Sequence, residues 1–113
     1  MMGYDRHHAI IVTTWDEEKI KKARKIALQK FPAVSEILKS EINAWYSFFI
    51  PPDGSKEGWD ESKNGDNRRY KFIEWLESQK YEDGSSPFDW VEIQYGDDWG
   101  GTIIVRHSDE EGR

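Results

Sequence analysis

The chain contains no cysteine, which excludes disulfides, thiol catalysis and thiolate metal sites together. No apolar run approaches the roughly 20 residues of a membrane span, and no apolar stretch follows a basic start at the N-terminus. These absences lead us to expect a soluble, cytoplasmic protein. A basic excess is missing as well. The net charge is -6, which argues against non-specific nucleic-acid binding, because neutralising phosphates takes clustered Lys and Arg. Only four prolines occur, at 32, 51, 52 and 87, and each falls at an expected boundary.

Diagnostic catalytic motifs are lacking too. There is no Gly-x-Ser-x-Gly nucleophile elbow and no Gly-x-x-x-x-Gly-Lys-Ser/Thr phosphate loop. The acidic residues at 53–66, and Asp97 with Asp98, do not match the calcium-loop spacing. His8 and His107 lack the paired His-x-Thr/Ser motifs of one group of phosphoesterases, since Ile10 and Asp109 stand where hydroxyls are needed. His7 and His8 are adjacent, so on a strand they point to opposite faces rather than toward one metal. We therefore expect no catalytic residue, metal or cofactor.

What is present is charge and aromatic bulk. Charged residues make up 34% of 113 residues, while hydrophobic residues make up only 36% and include six Trp. A chain of this length forms one domain, residues 1–113, and so few apolar residues must build an aromatic core that leaves some aromatics near the surface. Residues 1–6 read as a short leader and residues 108–113 as a polar tail, and both are expected to be flexible ends.

Residues 8–13 are apolar on both alternating faces, as in a central strand. Thr14 and Glu17 have capping-box spacing, so a helix is expected from there to about Lys30, with Ile20, Ala23, Ala27 and Phe31 as its buried stripe. The segment 19–30 carries six cations and no acid, which leaves the rest of the chain at -12. Such a run is ordinarily the solvated face of an amphipathic helix. Residues 34–42 fit a short helix or an edge strand, with the strand favoured because 45–50 reads as a buried strand ended by Pro51 and Pro52. A second helix is expected near Asp66 as its cap, with Phe72, Ile73, Trp75 and Leu76 inward. Residues 88–95 alternate, placing Val91, Ile93 and Tyr95 toward the helices and Trp90, Glu92 and Gln94 outward. Residues 96–101 form a turn, and 102–107 return as the last strand. Two Asp-Gly-Ser triplets, at 53 and 83, recur because turns favour these residues. The expected fold is an α+β two-layer sandwich, a mainly antiparallel sheet of four to five strands with two helices on one face.

The uncovered sheet face and its flanking loops make the first candidate site, with Trp90, Trp45 and Trp99 as anchors and Glu92 and Gln94 supplying polar specificity. A second is the 53–61 loop, where Lys56 can meet an anion, Trp59 can stack on a planar ligand, and Ser55 and Glu57 flank them. In its small size, lack of cysteine, dense charge and surplus of Trp, the whole chain resembles the small accessory proteins encoded by bacteriophages and prophages. That resemblance implies a modulator of a host protein. We read the chain as a non-enzymatic protein-binding module. The alternatives are a small-molecule or nucleotide binder, or an enzyme, at the 53–61 loop, and an acidic mimic of DNA. The open face can equally be closed by a second copy of the chain.

Overall fold

The computed structural model describes residues 6–56, 58–96 and 101–109. Its elements follow in the order β1 (His7–Thr14), α1 (Glu17–Lys30), β2 (Leu38–Lys39), β3 (Tyr46–Ile50), α2 (Asp60–Ser78), β4 (Asp89–Tyr95) and β5 (Ile103–His107). The strands form one antiparallel sheet in the order β2-β3-β1-β4-β5. Both helices cover the same face, so the architecture is the expected two-layer α+β sandwich, and residues 34–42 do contribute a strand, of two residues. The first four strands and their two helices interleave as a pair of split βαβ units, to which β5 is added antiparallel to β4; the expected turn at 96–101 lies largely outside the described residues.

The core lies between the sheet and the helices. Ile10 and Val12 of β1, Phe48 and Ile50 of β3 and Trp90 of β4 meet Ile20, Ala23 and Ala27 of α1 and Phe72, Ile73 and Leu76 of α2. The small Ala23 and Ala27 let α1 lie close to β1 and β3. Phe31 meets Phe72 edge-on with ring centroids 5.9 Å apart, and Trp75 bridges Phe72 and Phe88 at 6.3 and 6.0 Å. Aromatic volume replaces aliphatic number in this small interior.

Two helix starts differ from expectation. Asp16 caps α1, its Oδ1 accepting from the Lys19 N–H at 3.1 Å. Thr14 is instead the buried end of β1, and its hydroxyl donates to the Pro87 carbonyl at 2.6 Å, a buried demand that outweighs capping. The second helix begins at Asp60 and runs through Gly65, so Asp66 lies in its interior and pairs with Arg69. The two Asp-Gly-Ser triplets adopt the same turn. In each, the Asp Oδ1 accepts from the Ser N–H at 2.9 Å and the Ser hydroxyl at 2.6 Å, with Gly54 and Gly84 at φ +83° and +89°. The basic run on α1 is a solvated face at Lys21, Lys22 and Lys25, while Arg24 folds back to donate to the Ser35 carbonyl at 2.9 Å.

Candidate functional site: the open sheet face

Register decides which side chains face out, because directly paired residues of antiparallel strands point to the same side. Val12 pairs with Phe48 and with Trp90, and Ile10 pairs with Ile50 and with Glu92. Trp90 is only 5% exposed and Glu92 only 3%. The expected outward set is therefore inverted: Trp90, Glu92 and half-buried Gln94 lie on the helix-covered side, and Val91, Ile93 and Tyr95 lie on the open side. The reason is electrostatic as well as steric. Glu92 is tolerated inside because Arg106 Nε and Nη2 reach its Oε1 at 2.7 and 2.6 Å and Arg69 Nε lies 3.5 Å from its Oε2. Arg69 also pairs with Asp66, and Arg106 lies over the Tyr70 ring. The Arg69 Nε itself and the Trp90 indole N–H, both buried, make no hydrogen bond.

Of the other expected anchors, one falls within the described residues. Trp45 is half-buried in the turn before β3, its backbone N–H donating to Asn43 Oδ1 at 3.1 Å. Trp99 lies outside the described residues, as does Glu57.

The open face is built by a different set. Ile11 sits at its centre on β1, paired with Phe49 of β3 on one side and Val91 of β4 on the other. Ala9, Thr13, Ser47, Ile93 and Tyr95 share this side by the same pairing, with Leu38 joining through Ser47 and Ile104 through Ile93. Leu38 is 68% exposed, Ile104 61%, Phe49 43% and Ile11 40%. Ile11 separates two shallow hollows. The one toward Leu38, Phe49, Ile93 and Tyr95 measures about 330 Å³, and the one toward Val91, Ile104, His107 and Asp89 about 370 Å³. Among the described strand residues, Asp89 is the one formally charged group on this side. The sequence did carry a signal for this set: residues 8–13 are apolar on both faces, and a sheet with helices on one side must then leave one apolar face uncovered.

The second candidate region forms a cleft of about 350 Å³ lined by Pro32, Asp53, Ser55, Trp59, Asn64 and Arg68. Trp59 is 41% exposed there, but Ser55 is committed to the turn with Asp53, and Lys56 is half-buried. Partial burial works to raise the Asp53 carboxyl, but the two Ser55 hydrogen bonds and the positive charges of Arg69 and Arg68 outweigh it and hold the group below its ordinary 3.8. The cleft therefore holds a carboxylate, with Glu61 beside it, which opposes a phosphate. Among the described residues, no group of three or more His, Asp or Glu could hold a metal ion, and no helix is long and apolar enough to cross a membrane. His7 and His107 do not meet, since β4 separates β1 from β5, and His7 instead packs against Tyr95 with ring centroids 5.2 Å apart.

In comparisons with protein-family models, curated proteins and solved structures, nothing matches this chain.

Proposed function

We propose that the chain is a non-enzymatic protein-binding module that docks an apolar protein surface on its open sheet face. One observation carries the reading: in a chain with 34% charged residues, a face five strands wide presents Leu38, Phe49, Ile11 and Ile104, and among the described residues its acids, Asp89 and Asp109, stand only at one margin. Depletion of charge at the centre of an apolar patch is the compositional signature of an interface core, and a contiguous exposed apolar area on a small domain ordinarily has a use. The anchors are then Ile11 and Phe49, in place of the tryptophans. A phage-type modulator of a host protein is one setting for such a module, supported by the resemblance in size and composition alone.

The test is affinity capture with the tagged chain, followed by titration of the retained protein against purified variants. Ile11→Arg puts a charge at the centre of the face and should weaken binding by about 2 kcal/mol or more while the circular dichroism spectrum is unchanged. Trp59→Ala, in the 53–61 cleft, should leave it as it was. The reverse pattern would move the site to that cleft and favour a small ligand.

A further inference from the structure

We infer that the protein surface docked on the open face is that of a second copy of this chain, the two sheets packing face to face about a two-fold axis that runs parallel to β1 through Ile11. This rests on the reading of the open face as a docking surface and names its occupant.

The argument is self-complementarity, which an isologous interface requires of one patch. The face carries one protruding apolar side chain on each flank, Leu38 on β2 and Ile104 on β5, and one hollow on each side of Ile11. A two-fold axis along β1 reverses strand order and keeps position along the strands, so β2 of one copy lies over β5 of the other. Leu38 pairs with Ser47, and Ser47 with Thr13, so Leu38 stands at the level of Thr13. The hollow beyond β1 that is lined by Thr13, Val91 and Asp89 lies at that same level. Ile104 pairs with Ile93, and Ile93 with Ala9, which is the level of the opposite hollow. Each knob thus meets a hollow of the other copy.

Charge points the same way. The chain carries -6, so two copies repel through most of their surfaces, but among the described residues the acids of the open face, Asp89 and Asp109, stand together at one margin and leave its centre uncharged. Two aligned sheets about 10 Å apart, the usual spacing of a sandwich, would convert the solvent-facing side into a second core.

Absence of cysteine makes the test clean, because a single introduced thiol is the only one in each chain. In Ile11→Cys the two thiols face each other across the axis. Sheets about 10 Å apart lie beyond the roughly 7 Å reach of a disulfide, so a short bismaleimide is used. We expect efficient crosslinking of Ile11→Cys and none of Lys22→Cys on α1. Sedimentation of the unmodified chain should give twice its 13.3 kDa. Leu38 faces the hollow that contains Asp89 of the other copy, so Leu38→Asp should raise the dimer dissociation constant about tenfold or more, and Leu38→Lys distinctly less. A monomeric mass at all concentrations overturns the inference, and so does a dimer that crosslinks at Lys22→Cys but not at Ile11→Cys. A monomer that captures another protein in an Ile11→Arg-sensitive way would leave the docking face standing and change only its occupant. A monomer that captures nothing would remove both.

Discussion

At Gly65 a missing methyl group decides how α2 meets the 53–55 turn. A Cβ there would stand 2.9 Å from Asp53 Oδ2 and 3.2 Å from Arg69 Nη1. Alanine in a helix interior ordinarily gains about 1 kcal/mol over glycine, yet here it must displace a carboxylate that Ser55 holds in place. Gly65→Ala should therefore fail to stabilise the chain, and should recover the gain in an Asp53→Ala background, as read by urea unfolding of the four proteins in the cycle. Asp53 also predicts a pH effect. Its folded-state value is lowered, so its contribution is complete above its unfolded value near 3.8 and is lost as the pH falls through the folded value. In Asp53→Asn, the urea midpoint should drop less between about pH 5 and about pH 2 than in the parent chain. Glu92 is the other decisive residue. Glu92→Gln leaves the buried Arg69 guanidinium, with the part-exposed Arg106 beside it, facing a neutral amide and should cost about 3 kcal/mol by the same measurement. None of this was readable in the sequence, where a Gly before an Asp marks a helix start and a Glu in an alternating strand marks the wet side. The partners that reverse both readings lie far along the chain.

The elements were legible where periodicity is long and one-sided. The stripe of α1, the apolar β1 and β3 and the strands β4 and β5 all stand where their patterns place them. Orientation of β4 was not legible, because Val91, Ile93 and Tyr95 are the more apolar set and still face out. The sheet has two apolar faces, and the helices cover the one that includes Trp90 and the buried ion cluster. Only the register against Val12 and Ile10 resolves this. The candidate site suffered most, since Trp90, Glu92 and Gln94 rested on that orientation, and the aromatics that the register does place on the open face are Phe49 and Tyr95, neither of them an expected anchor. At the junction of elements, the Thr14 hydroxyl ties the end of β1 to the segment before β4 through the Pro87 carbonyl. Thr14→Val preserves shape and should cost about 1–2 kcal/mol, with the loss concentrated in hydrogen exchange at the β1–β4 end that includes Thr13 and Asp89.

At the scale of the molecule, the α+β class followed from counting strands and helices, but strand order did not, since local patterns do not say which strands are neighbours. The sheet centres on β1, the first strand in the chain, and that position has a kinetic consequence. Its neighbours are β3 and β4, so Val12 waits for Phe48 and then for Trp90 near the far end of the sequence. Closing such long loops costs entropy before any contact repays it, which slows folding relative to a helical bundle of this size. During synthesis β1 emerges before the other strands yet is completed late: until β4 leaves the ribosome, an apolar strand has one of its long edges unfilled. A chain truncated after α2 should accordingly show little amide protection in β1 and recruit chaperones, while the full chain protects β1 more strongly than any other strand.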